Sequence, residues 1–109
     1  MENFIYGGKK LDIIKNDDDI WFHAKTVASI LKYTNTRKAI RDHVDSEDKI
    51  TLNDLKSRGN DSFPLKNNHV IYINESGLYS LILRSDMDKA KEFKRWVTKE
   101  VLPSIRKNR

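Results

Sequence analysis

The chain opens with short apolar runs set between turn residues. Phe4-Ile5-Tyr6 precedes Gly7-Gly8, Leu11–Ile14 follows, and Asn16-Asp17-Asp18-Asp19 leads into Ile20-Trp21-Phe22. Runs of this length bounded by Gly, Asn and Asp predict a β-hairpin or meander. Trp21 and Phe22 are adjacent, so one should point inward and the other should be partly exposed. The period changes at Ala24. Ala24, Val27, Ala28 and Leu31 recur at helical spacing and predict a helix over Ala24–Lys32, with Lys25, Ser29 and Lys32 on its polar side. Tyr33-Thr34-Asn35 interrupts, and Asn35 is placed to cap a second helix, Thr36–Val44. On it Ala39, Ile40, His43 and Val44 share one face, and Arg37, Lys38 and Arg41 the other. Two short amphipathic helices around a tight turn make a helix-turn-helix-like unit.

Lys49–Leu52 and Val70–Ile73 read as two further strands. Between them, Asn53–Asn68 is rich in Asn, Asp, Ser and Gly and predicts a long loop. Asn74 is placed to cap a helix over Glu75–Leu83, with Leu78, Leu81 and Ile82 facing the core. Ser85-Asp86-Met87-Asp88 resembles a capping box with Asp in place of Glu, and should start a last helix reaching about residue 102. Ala90, Phe93, Trp96, Val97 and Val101 form its apolar face; Lys91, Lys94, Arg95 and Lys99 form the other. Pro103 should end or kink it. The expected fold is α+β: a small antiparallel sheet of hairpins, the helix-turn-helix-like pair, and two further helices packed on the sheet.

A length of 109 residues suits one domain, 1–109. No apolar run approaches the roughly 18–20 residues that cross a bilayer, so neither a membrane span nor a secretory signal is expected. With no cysteine, disulfide scaffolds, thiol catalysis and cysteine-based zinc sites are excluded together, and an intracellular setting is expected. The net charge is +5, and its placement says more than its size. Residues 84–109 carry nine basic and four acidic side chains, so the C-terminal quarter holds an excess equal to the whole. A localised basic excess points to a polyanionic partner more firmly than a diffuse one.

Several blocks together resemble the Bro-N domain, the N-terminal domain of baculovirus BRO proteins, shared with large DNA viruses and phage antirepressors. They are Ile20-Trp21-Phe22-His23-Ala24-Lys25, Val27-Ala28, Leu31-Lys32-Tyr33 and Lys38-Ala39-Ile40-Arg41-Asp42-His43-Val44, then Ile73 to Tyr79 and Phe93 to Arg106. The resemblance covers roughly residues 3–107. It departs at His23, where the family usually has an apolar residue, and at Lys32, where Gly is common. It implies a DNA-binding domain of a viral BRO-type or antirepressor-type regulator, normally joined to a variable C-terminal domain and acting in the host cytoplasm or nucleus. The other implied role is a protein-interaction module that binds a repressor or another regulator, or self-associates.

Candidate contacts follow from residue type. Arg37, Lys38 and Arg41 project together from a short helix able to approach a major groove or phosphates. Lys25 and Lys32 flank that unit, and Tyr33 in its turn is the aromatic best placed for a contact. Lys91, Lys94, Arg95 and Lys99 form a stripe suited to phosphate neutralisation. Each of these charges can also serve simply as the solvated side of an amphipathic helix. Trp96 and Phe93 lie on an apolar face and read as core, as does His43. His23, His43 and His69 lack metal-ligand spacing, Asp17–Asp19 reads as a solvated turn, and no serine sits in a nucleophile motif. No enzyme activity, cofactor or metal is expected; the expected partner is double- or single-stranded DNA.

Overall fold

The computed structural model describes residues 2–16, 18–58, 69–85 and 87–107. Strands β1 (Glu2–Tyr6) and β2 (Lys9–Asn16) pair antiparallel with Tyr6 opposite Lys9. The two residues between them are Gly7 at φ 56° and Gly8 at φ 80°. A two-residue hairpin turn with both φ values positive matches the twist of the strands, and glycine adopts it without steric cost. β3 (Asp19–His23) pairs with β2, and the chain then leaves the sheet as α1 (Ala24–Ile30) and α2 (Thr36–His43). After a 3₁₀ turn, Ser46–Asp48, it returns as β4 (Lys49–Thr51), α3 (Leu52–Arg58) and β5 (Ile71–Ile73). All pairings are antiparallel and the order is β1-β2-β3-β5-β4, so β5 sits between β3 and the edge strand β4. The helices α4 (Glu75–Arg84), α5 (Ala90–Trp96) and α6 (Leu102–Lys107) complete an α+β fold.

Both faces of the sheet are covered. One carries Leu11, Ile13, Ile20, Phe22 and Ile73 into the main core, packed with Val27, Ile40, Leu78, Leu81, Phe93, Val97 and Ile105 from the helices. The other carries Ile14, Trp21, Ile50 and Tyr72, closed by Leu55 of α3. Trp21 is therefore only 4% exposed and Phe22 0%, which corrects the expectation that one of them would face water. The cause is α3. The segment expected to be loop from Asn53 begins as a helix, because Leu52 and Leu55 lie one turn apart over the second face; residues 59–68 of that segment lie outside the described residues.

Three further corrections concern the C-terminal helices. The last helical stretch begins at Ala90, not at Ser85, and its N-cap residue, Lys89, makes no side-chain capping bond. Ser85 instead ends α4: its hydroxyl donates to the Leu31 carbonyl (3.0 Å) and accepts from the Met87 N–H (3.1 Å), which ties the α4–α5 connection to the end of α1. Asp86 of the expected capping box lies outside the described residues. Pro103 does not end the helix, which runs on as α6 to Lys107. A π turn, Val97–Val101, shifts the hydrogen-bond register immediately before it, and the Leu102 N–H bonds to the Val97 carbonyl. Such a wide turn is one of the few ways a helix accommodates a residue without an N–H. The Thr98 hydroxyl donates to the Lys94 and Arg95 carbonyls (3.0 and 3.2 Å) where the register changes. Trp96 is half-buried, not fully: its ring lies 4.8 Å from Tyr6 and 5.9 Å from Phe93, beneath the edge strand β1.

Candidate nucleic-acid interface

The helix pair is held rigidly at both ends. His23 caps α1, its Nδ1 accepting from the Thr26 N–H at 3.3 Å with the Thr26 hydroxyl at 2.9 Å. Its ring stands edge-on to Tyr72, its partner across the β3–β5 pairing, at 5.5 Å. Burial holds the His23 pKa below the usual histidine value; Asp12 opposes this and Lys25 reinforces it. At the other end of α1 the Lys32 N–H bonds to the Ser29 carbonyl and the Tyr33 N–H to Ala28, the paired bonds of a Schellman cap. That cap requires Lys32 at φ 68°, a conformation glycine adopts freely. The Tyr33 hydroxyl then donates to the Leu81 carbonyl (2.7 Å) and its ring lies 5.8 Å from His43, so Tyr33 fastens the inter-helix turn to α4.

Asn35 caps α2 as expected, accepting from the Lys38 N–H at 3.0 Å. The first turn of α2 contains no acid and two cations, Arg37 and Lys38. The helix dipole disfavours positive charge there by a few tenths to about 1 kcal/mol. Helix stability alone would not select that arrangement.

Between α2 and the β4–β5 edge lies a cleft of about 620 Å³. Lys25 of α1, Arg37 and Arg41 of α2 and Lys49 of β4 line it, joined by His23 and His69. Thr36 borders it, and Ile40, Val70 and Ile71 give it an apolar wall. None of the described residues lining it is a carboxylate. The structure thus brings together three of the cations singled out in the sequence and adds Lys49 and His69, which sequence reading missed. Neither belongs to a local pattern. The β4–β5 pairing, with Lys49 opposite Ile73, carries Lys49 to the cleft, and His69 lies just before β5.

The other candidates lie elsewhere. Lys38 forms an i,i+4 ion pair with Asp42 at 3.0 Å, and Arg41 Nε approaches the same carboxylate at 3.3 Å. The hydrogen bond from Lys38, more than that from Arg41, holds the Asp42 carboxyl below its usual range. Lys32 lines a second depression, of about 450 Å³, with Lys9 and Lys89 and with Glu92 opposing them. Lys91, Lys94, Arg95 and Lys99 are exposed on α5 and the π turn and do not line the cleft; Lys94 Nζ sits 5.9 Å from the Tyr79 ring centroid. Among the described residues, no group of three His, Asp or Glu side chains converges as metal ligands, and no helix is long and apolar enough to cross a membrane.

The family profile described as "BRO family, N-terminal domain" matches residues 10–103. This chain belongs to the Bro-N family. Its relatives include the putative Bro-N domain-containing protein 289L of Invertebrate iridescent virus 6, 40% identical over 83% of the chain. An uncharacterized protein of Haemophilus influenzae is 37% identical over 87% of it, and the uncharacterized Bro-N domain-containing protein ORF2 of Autographa californica nuclear polyhedrosis virus 34% over 85%. The alignments span 24%, 44% and 31% of these relatives, so the chain covers less than half of each. No solved structure matches it. Within the Bro-N blocks the structure separates two jobs. Ile20 to Lys25 and Lys38 to Val44 supply His23, Lys25, Ile40 and Arg41 to the cleft. Ile73 to Tyr79 instead joins helix to sheet: Asn74 caps α4 through the Gly77 N–H (2.9 Å) and donates to Asp48 (3.2 Å).

Proposed function

We propose that this Bro-N domain is a non-enzymatic DNA-binding module of a viral BRO-type or phage antirepressor-type regulator, binding mainly through the nucleic-acid backbone. The observation that carries the proposal is the convergence of Lys25, Arg37, Arg41 and Lys49, from three elements, on one cleft with no carboxylate among the described residues that line it. Lys25, Arg37 and Lys49 share one concavity with Arg41, which Asp42 only partly offsets, so an anion placed there is attracted by all four. Flexible Lys and forked Arg side chains together suit phosphate oxygens. The exposed stripe on α5 adds a second basic surface.

Each phosphate neutralised on duplex DNA contributes about 0.9 to the slope of log affinity against log salt. Fluorescence anisotropy of the 109-residue chain with duplex and single-stranded DNA, across a salt series, tests this directly. Arg37→Ala and Lys49→Ala are each expected to weaken binding and to lower the slope by about one. An affinity indifferent to salt, or slopes that neither variant moves, would overturn the proposal. Salt-insensitive binding to a regulatory protein in the same assay would instead support the interaction-module alternative.

A further inference from the structure

The cleft contains more than phosphate binding requires. Backbone contacts need cations on an open surface, yet here a wall of Ile40, Val70 and Ile71 shares one concavity with the four cations and with two imidazoles, His23 and His69. Ile40 belongs to the core, while Val70 and Ile71 are half-buried, and the aliphatic surface those two leave open beside the charges gains if something apolar covers it. The volume, about 620 Å³, is far larger than a phosphate and lies within the range of small-ligand sites, roughly 300–1,000 Å³. A stacked base pair presents only edges and sugar-phosphate to a protein surface. An unpaired nucleotide presents a flat, weakly polar face together with an anionic group, and proteins that capture one hold its base against aromatic and apolar side chains.

We propose that the cleft between α2 and the β4–β5 edge is a pocket for one unpaired nucleotide, its base against the Ile40–Val70–Ile71 wall and its phosphate held by the surrounding cations. The proposal rests on the DNA-binding function proposed above and narrows its ligand. The rigid α1–α2 pair, capped by His23 and Asn35 and fastened through Tyr33, presents the cleft preformed. The nucleotide can come from a strand, as a bulge or single-stranded segment, or from solution as a nucleoside monophosphate.

The test compares three 20-base-pair duplexes: fully paired, with one central bulged thymidine, and with an abasic bulge at that position. Burial of one captured base against the aliphatic wall predicts that the thymidine bulge binds several-fold tighter than the paired duplex and clearly tighter than the abasic bulge. Thr36→Trp fills the cleft while keeping every cation, and should bring the ratio of bulged to paired affinity to one. Val70→Trp fills it from the opposite side and serves if the first variant fails to fold by circular dichroism. Calorimetry with thymidine 5′-monophosphate alone separates the two sources. Monophosphate binding that the Trp variants abolish supports a free nucleotide ligand, and bulge preference without it supports a nucleotide within a strand. Equal affinity for the three duplexes together with no binding of the monophosphate would overturn the pocket and leave the DNA-binding function standing. So would an abasic bulge as good as the thymidine bulge when the monophosphate does not bind, or a bulge preference or monophosphate binding that survives both Trp variants. Absence of binding to every DNA and to the monophosphate would overturn both proposals.

Discussion

At the residue scale, two positions carry costs that local structure makes measurable. Lys32 occupies the left-handed conformation at φ 68° that closes the Schellman cap of α1. An L-residue there loses roughly 1–2 kcal/mol, while glycine gives back about 0.5–1 kcal/mol through its freer unfolded chain. Lys32→Gly is therefore expected to stabilise the domain by about 0.5–1 kcal/mol, read as a rise of a few degrees in Tm. If Lys32 also touches phosphate, the same variant lowers the salt slope of DNA binding by about one, so stability and affinity move in opposite directions. His23 is the second position. Its folded pKa lies below 6.5, because burial disfavours the charged ring, Lys25 repels it and Asp12 only partly compensates. A depressed folded pKa means that the native state binds fewer protons than the unfolded chain. Its stability contribution is complete above pH 6.5 and is lost as pH falls below 6.5 through the folded value, where protonated Nδ1 can no longer accept from Thr26. His23→Asn keeps a capping acceptor without a titrating group. Urea midpoints across that range should fall less steeply with acid for the variant than for the parent; equal slopes would contradict the assignment.

At the element scale, Gly77 shows packing outweighing propensity. A Cβ there would stand 3.1 Å from Ile73 Cβ, 3.1 Å from Val44 Cγ1 and 3.2 Å from the Asp48 carbonyl oxygen. That oxygen is itself held by the Asn74 N–H at 3.1 Å, so it has little freedom to retreat. Ala favours a helix over Gly by about 1 kcal/mol, but overpacking on three sides costs about 1–3 kcal/mol. Gly77→Ala is expected to destabilise in urea unfolding, whereas Ser76→Ala on the exposed side of the same turn should stay within about 0.5 kcal/mol. A stabilised Gly77→Ala would show that the junction of α4 with the sheet yields. The elements legible in the sequence are those whose signals are local: the double-glycine hairpin, the helical periodicity of α1, α2 and α4, and the caps Asn35 and Asn74. α3 is not legible, because one turn of Leu52 and Leu55 is outvoted by the surrounding Asn, Asp and Ser. The burial of Trp21 is hidden with it, since that burial depends on α3 covering the second face. The helix past Pro103 is hidden for another reason, as a π turn depends on packing around Val97 and Val101 that no single-residue rule expresses. The candidate site divides the same way. Lys25, Arg37 and Arg41 are readable from neighbouring helices, while Lys49 reaches the cleft through strand pairing and His69 from the approach to β5.

At the scale of the whole molecule, the charge is split between a concave site built by the helix pair and the sheet edge, and an open stripe on α5. A nucleotide pocket needs its charges around one point, whereas a stripe tracks a backbone. The two surfaces should therefore respond differently to substitution. Arg41→Ala removes a cleft cation and is expected to weaken binding to bulged and single-stranded DNA more than to paired duplex. Lys91→Ala combined with Lys99→Ala should weaken all DNA alike and reduce the salt slope by about one for each phosphate no longer neutralised. Neither set should change stability by more than about 0.5 kcal/mol per exposed substitution. Arg41 carries one qualification from its surroundings: Asp42 loses one of its two cationic neighbours, so its carboxyl pKa should rise toward the ordinary value, Lys38 remaining as partner. Size limits the footprint as well. The longest dimension is 42 Å, and duplex DNA rises about 3.4 Å per base pair, so one molecule covers no more than about 12 base pairs. Affinity should therefore grow with duplex length up to about that value and then level off, apart from the statistical gain of extra sites. Anisotropy titrations over a length series, with the parent, Arg41→Ala and the Lys91/Lys99 double variant, check both expectations at once. If length dependence persists in the double variant while Arg41→Ala abolishes it, the extended contact runs through the helix pair and the α5 stripe is a solvated face.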